Sequence, residues 1–329
     1  MTARYDVAAI GNAIVDVIAE ADDAFLAAEA LDKGSMRLVD EDRARDLYSR
    51  MAPGLETSGG SAANTIAGVA SFGLKALYVG KVAADPLGEI FAHDIKAIGV
   101  DFATPPLAGG PATARCLVNV TPDGERTMCT FLGASVELTP ADVDPALIEA
   151  ARILYLEGYL FDPPEARRAF EKAAFAAKAA GRSIALSLSD AFVVERHREA
   201  LLAFIDAEVD ILFANETELL AMFQTNRLSI AKEALAGRVK IGAVTLGAEG
   251  SVILSEGGEI PVPAEPVAKA VDTTGAGDQY AAGFLAGLAG GQGLGSCGRL
   301  GSLAAAEVIS HFGPRPMTPL AELAAARGF

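Results

Sequence analysis

The chain has 329 residues, enough to bury a large core as one elaborated α/β domain or as two domains. Hydrophobic residues make up 51% and charged ones 21%, which excludes a chain left disordered for want of apolar surface. With 27 Lys plus Arg against 43 Asp plus Glu, the net charge of −16 argues against nucleic-acid and membrane partners, and a phosphate-bearing substrate would need a local cradle of N–H groups, a metal ion or arginines.

In chain order, YDVAAIG at 5–11 is a short apolar run ending in glycine, the pattern of a buried strand, and the amphipathic AIVDVIAE follows as a second strand. GGSAANTIAGVASF at 59–72 joins a glycine pair to small residues at helical spacing, and KALYVGKVA at 75–83 returns to a strand. The rhythm repeats in ILYLEGYL at 153–160, the alanine-rich helix 164–181, SIALSLSD at 183–190, VDILFANE at 209–216 and IGAVTLG at 241–247. Strands alternating with helices predict a doubly wound, mostly parallel sheet with helices on both faces. Residues 12–40 and 101–131 break the alternation, the latter with a hairpin around Pro122, Asp123 and Gly124. They are expected to form a small β lid over the carboxyl ends of the core strands, leaving 1–11, 41–100 and 132–329 as the α/β core. The uncharged stretch Gln279–Gly298 holds seven glycines, so it is read as a buried helix to about Ala289 followed by a glycine-rich turn rather than as a membrane span.

Three scattered cysteines, Cys116, Cys129 and Cys297, support neither a disulfide framework nor a paired-Cys zinc site. With an N-terminus that lacks the features of a secretory signal, they point to the cytoplasm. His93, His197 and His311 lie in unrelated contexts, and Ser61 sits in GGSAA rather than GxSxG, so no hydrolase triad is expected.

DTTGAGDQYAAGF at 272–284 carries the strongest chemical signal. Gly275 and Gly277 allow a sharp turn that brings N–H groups close to an anion, at the positive end of a helix starting near Asp278. By spacing alone, Asp278 is either an N-cap or a general base. There is no GxxxxGK[ST] run and no GxGxxG after a strand.

Together, DTTGAGDQYAAGF and GGSAANT at 59–65 resemble the two signatures of the ribokinase or PfkB superfamily of carbohydrate and nucleoside kinases, in the expected order and more than two hundred residues apart. The resemblance implies a ribokinase-like fold, ATP and Mg²⁺, with Asp278 as catalytic base. Gly275, Ala276 and Gly277 would then form the anion hole for the transferring phosphoryl group. NETE at 215–218 resembles the element that places Asn215 and Glu218 near Mg²⁺, which implies contact through water, and VTLGAEGS resembles the nucleotide segment, bringing Thr245, Gly247 and Gly250 to ATP. A monovalent cation such as K⁺ is implied at Asp272 and Thr274, completed by carbonyls around 305–313.

GNAIVD at 11–16 is similar to the opening of the adenosine-kinase branch. That likeness makes Asp16 the partner of two vicinal hydroxyls, with Asn12, Gly60, Ser61 and Asn64 around them. GYLF at 158–161 resembles the segment that supplies an aromatic face for a base, naming Tyr159 and Phe161, with Met36 and Leu38 from the lid. Arg115 and Arg126 on the hairpin are candidates for phosphate contact or lid closure. The expected partners are a nucleoside, adenosine foremost, or a sugar, together with ATP. The alternatives are a sugar kinase acting on a primary hydroxyl and a non-catalytic nucleoside sensor, and the chain is expected as a monomer or as a homodimer through an exposed lid edge.

Overall fold

The computed structural model describes residues 3–329. Among the described residues the strands are, in order, β1 (Tyr5–Ile10), β2 (Ile14–Glu20), β3 (Met36–Leu38), β4 (Leu55–Gly59), β5 (Ala76–Val79), β6 (Val100–Phe102), β7 (Ala114–Val120), β8 (Arg126–Phe131), β9 (Ala151–Glu157), β10 (Ser183–Ser187), β11 (Ile211–Asn215), β12 (Ile241–Thr245), β13 (Ser251–Ser255) and β14 (Gly258–Val262).

Nine of these form one sheet in the order β14-β13-β12-β11-β10-β9-β1-β5-β6. It is parallel from β12 to β6, with β13 and β14 added antiparallel at one edge. Strands buried on both faces read as continuous apolar runs, yet their side chains divide by parity. In β9, Leu154 and Leu156 pack with Phe170 of helix Pro164–Ala179 and Leu201 of helix Ala191–Glu208. Ile153 and Tyr155 face the opposite core, with Ile66 of helix Ser61–Ser71 and Phe284 of helix Ala276–Ala289. The fold is the doubly wound, ribokinase-like sheet expected from the sequence.

From β1 the chain runs outward on one side through β5 and β6, and on the other side from β9 through β12. The order therefore reverses between β1 and β9, and the crevice beyond the carboxyl ends of strands at such a switch point is where open α/β sheets bind ligands.

The second sheet has the order β3-β8-β7-β2-β4 and is reached from the carboxyl end of β1 through residues 11–13. One of its faces buries Val15, Val17, Leu117 and Cys129 with Leu26 and Leu47 of the helices Asp23–Ala28 and Glu41–Arg50. On the other face one register row reads Asp16, Cys116, Thr130, Leu38 and the next Ile18, Val118, Met128, Met36. The membership differs from the expected lid of 12–40 and 101–131. β4 pairs antiparallel with β2 and joins the small sheet, whereas β6 completes a parallel crossover from β5 and joins the large one. Strands this short carry too little alternation to declare their sheet.

The uncharged stretch is also resolved differently in its second half. Gly290–Gly293 is the only turn, and a second helix, Leu294–Val308, begins inside the expected loop. Its glycines serve close packing: a β-carbon at Gly283 would lie 2.2 Å from the Leu300 carbonyl oxygen, and one at Gly287 would lie 2.9 Å from Cys297. No helix among the described residues is long and apolar enough to cross a membrane.

Candidate active site

Helix Ala276–Ala289 starts two residues earlier than expected, with Gly275 as N-cap at φ 78°, a conformation open to glycine. Asp278 therefore lies in the first turn and does not cap the helix. Its carboxylate instead accepts hydrogen bonds from Ser61 Oγ at 2.6 Å and Asn64 Nδ2 at 3.2 Å, both on the first turn of helix Ser61–Ser71. Burial raises the Asp278 carboxyl to about 6, against the pull of those two donors. A carboxylate oriented from behind and titrating just below neutrality is suited to take a proton from an alcohol.

The first amides of a helix have no intrahelical partner. Among the described residues Gly275, Gly277 and Asp278 find no acceptor for their N–H groups, while Ala276 donates to the Thr273 carbonyl at 3.2 Å. Of the three amides expected in the anion hole, the two glycine amides are thus uncommitted and that of Ala276 is shared. A β-carbon at Gly277 would meet no protein atom within 4 Å. Gly277 borders two cavities. The smaller, about 80 Å³, is lined by Ser61, Asn215, Glu218, Thr245 and Asp278. The larger, about 560 Å³, is lined by Thr245, Gly247, Gly250, Ala276, Tyr280, Ala305 and Ile309 among others.

Beyond Asp278, at the switch point, Glu157 at the end of β9 accepts from Asn12 Nδ2 (2.7 Å), the Asn12 amide (3.1 Å) and the Ala62 amide (2.8 Å). Glu157 thereby ties β1, β9 and helix Ser61–Ser71 together, and burial pushes its carboxyl up to about 7. Gly11 allows this, since a β-carbon there would lie 2.4 Å from Glu157 Oε2. Asp16 projects from β2 against Gly59, where a β-carbon would stand 2.2 Å from its Oδ2. No donor among the described residues bonds the Asp16 carboxylate, which burial raises to about 6 although Arg315 and Arg126 pull it down. Gly60, at φ 96°, passes so close to the Asn12 carbonyl oxygen that a β-carbon would stand 2.2 Å from it. The side-chain oxygens of Asn12 and Asn64, and Nε and Nη2 of Arg315, are buried without partners. Buried polar atoms are ordinarily bonded, so this set fits a ligand rich in hydroxyls.

Asn215 and Glu218 form a reciprocal capping box on helix Glu216–Phe223: Asn215 Oδ1 accepts from the Glu218 amide at 2.8 Å, and the Asn215 amide and Nδ2 donate to the Glu218 carboxylate at 3.0 and 2.7 Å. Glu218 is buried, and burial raises it to about 7, with Asp190 and Asp278 adding repulsion. An all-oxygen donor set with a buried carboxylate on the small cavity fits a hard divalent ion held through water.

Other expected residues are placed less centrally. Tyr159 stacks on Phe192 with centroids 6.0 Å apart, and its hydroxyl is pushed well up by burial and by Asp190, Glu157, Asp278 and Glu218. Phe161 is 1% exposed and packs edge-on against Phe170 and Phe204, so its ring belongs to the core and offers no face to a base. Met36 and Leu38 are on the Asp16 face of the small sheet, 42% and 54% exposed. Arg115 pairs in register with Val15 and so lies on the opposite, helix-covered face, over Tyr48 and Phe131. Asp272 and Thr274 do not fit the implied monovalent ion, because Arg126 of the lid already forms a buried ion pair with Asp272. Sequence reasoning missed Glu157, Arg315 and Gln279, whose Nε2 donates to the Asn64 and Pro314 carbonyls. A lone glutamate ending an apolar strand just before a glycine, as in ILYLEG, was the available signal for Glu157.

A carboxylate beside uncommitted helix-start amides, next to a cavity of about 560 Å³ on a doubly wound sheet, is a layout suited to phosphoryl transfer. The chain belongs to the pfkB family of carbohydrate kinases, whose model matches residues 6–321. It is 52% identical to an adenosine kinase from Sinorhizobium meliloti of known crystal structure, covering 99% of this chain and 100% of that one with a TM-score of 0.92. A probable sugar kinase from Rhizobium etli CFN 42 is 49% identical over 99% of both chains, with a TM-score of 0.93. The adenosine kinase of Saccharomyces cerevisiae is 30% identical, covering 93% of this chain and 95% of its own length.

Proposed function

We propose that the chain transfers the γ-phosphoryl group of ATP to the 5′-hydroxyl of adenosine, giving AMP and ADP. The observation that carries this reading is Asp278 on the smaller cavity, next to Gly277 which borders both, held by Ser61 and Asn64 beside uncommitted amides. The acceptor's ribose hydroxyls would bond the unpartnered Asp16 carboxylate and the free Asn12 oxygen, with the base against Met36 and Leu38.

The oxygen–phosphorus bond to the acceptor forms as the bond to ADP breaks, and the hydroxyl proton passes to Asp278. The Gly275 and Gly277 amides would offset charge on the transferring oxygens, since neither has a protein acceptor to give up. Thr245, Gly247 and Gly250 border the cavity for the nucleotide. Glu218 and Asn215 would hold Mg²⁺ through water, and the ion would neutralise phosphate charge. The three buried free thiols suit a reducing cytoplasm.

A sugar acceptor is the second reading, favoured by the likeness to the Rhizobium protein and by a hydroxyl-reading set that would serve either acceptor. A panel of adenosine, other nucleosides, ribose and fructose with MgATP separates them: turnover of free sugars without adenosine would overturn the nucleoside reading. Asp278→Asn is expected to lower kcat by about a thousandfold while adenosine still binds, as read by calorimetry.

A further inference from the structure

Asp272 opens the segment that leads to Gly275 and Asp278, and it is buried. A buried carboxylate needs a counter-charge and bonds for its lone pairs. Here Oδ1 accepts from the Thr274 amide at 3.0 Å, and Oδ2 accepts from the Gly313 amide at 2.9 Å and pairs with Arg126 Nη2 at 2.5 Å. Arg126 is equally buried and lies 5.7 Å over the Phe312 ring. Two carbonyls of the neighbouring segment each carry a contact of their own: Ile309 oxygen accepts from the Val271 amide at 2.7 Å, and the Phe312 oxygen lies 3.1 Å from His311 Nδ1. A metal cation here would have to displace the guanidinium or sit against it.

We infer that Arg126 is the built-in counter-cation of Asp272, so that the lid, rather than a monovalent metal ion, holds the phosphoryl-transfer loop in place. Arg126 begins β8, just past the hairpin turn at Asp123 and Gly124, and its guanidinium joins the lid to Asp272, whose carboxylate in turn accepts from the Thr274 and Gly313 amides. Lifting the lid withdraws the counter-charge from the loop that bears the anion-hole amides. Arg126 is thus a positioning residue that acts through its permanent charge: one nitrogen meets one Asp272 oxygen, while Nε and Nη2 make no hydrogen bond.

The test uses the full-length enzyme in KCl, NaCl or tetramethylammonium chloride at equal ionic strength. Wild-type kcat is expected to vary by no more than about twofold among the salts, with no K⁺-specific rise in thermal midpoint. Arg126→Gln is expected to lose about tenfold or more in tetramethylammonium and to regain at least about fivefold on adding K⁺, with a thermal midpoint that rises in K⁺ alone. A wild type that needs K⁺, or that is specifically stabilised by it, overturns the inference; so does a folded Arg126→Gln enzyme that is fully active without K⁺ or indifferent to K⁺ in both readouts. Should that variant not fold, the wild-type thermal comparison decides alone. It requires no acceptor, so a mistaken choice of adenosine would leave it unaffected.

Discussion

On the proposed function, Asp278 is the residue whose surroundings would set the working pH. Its carboxyl titrates at about 6, so kcat/KM is expected to fall as pH drops below about 6, where the base becomes protonated. The Ser61 hydrogen bond holds that value down, so Ser61→Ala should move the acid limb to higher pH, and a pH–rate profile of both proteins checks the direction. An unmoved limb would mean that another group controls the profile. The sequence made Asp278 legible because a glycine-flanked aspartate at a helix start is a local pattern. Tyr159 and Phe161 stand two apart in GYLF, and composition cannot say which ring turns inward; the turn after β9 sends Phe161 onto Phe170 and Phe204. Glu157 and Arg315 act only on residues distant in the chain, which no window of sequence displays.

Among elements, the helices Ala276–Ala289 and Leu294–Val308 depend on glycine where their backbones meet. Gly283→Ala puts a methyl 2.2 Å from the Leu300 carbonyl oxygen, a backbone atom that cannot swing aside. A loss of about 1–3 kcal/mol is expected, read as a lower urea midpoint, whereas Gly293→Ala, where a β-carbon meets nothing within 4 Å, should cost much less. Equal losses would mean that packing is not the reason for the glycines. These positions explain why the sequence was legible in its long periodic helices and strands but not between 290 and 298. Glycine marks both turns and tight helix contacts, and only the partner helix tells them apart. The short strands β4 and β6 changed sheets for a related reason, since pairing decides the membership of three to five residues.

For the whole molecule, four carboxyls, the buried Glu157 and Glu218 and the partly buried Asp16 and Asp278, gather around one crevice: Asp16 and Asp278 at about 6, Glu157 and Glu218 at about 7, against ordinary values of 3.8 for Asp and 4.5 for Glu. Each binds its proton more tightly folded than unfolded. Their contribution to stability is therefore complete below the unfolded values and is lost as pH rises through 6 to 7. Carboxyls held low by donors, such as Asp85 and Asp94, act oppositely and only in more acid solution. The thermal midpoint without ligands is thus expected to be higher near pH 5.5 than near pH 8, with self-repulsion at a net charge of −16 adding to the trend. A midpoint that climbs between those two values would show that the crevice carboxyls are not strained by burial.

Ser61 and Asp278 meet across 217 positions of the chain. A nascent polypeptide can complete β1, the small sheet and every strand of the large one, the last ending at Val262, before Asp278, the proposed proton acceptor, is synthesised, and much of the larger cavity's lining arrives with that same late stretch. On the proposed function, catalytic competence waits for this late stretch, and its recovery on refolding reports closure of this long loop rather than formation of the sheet.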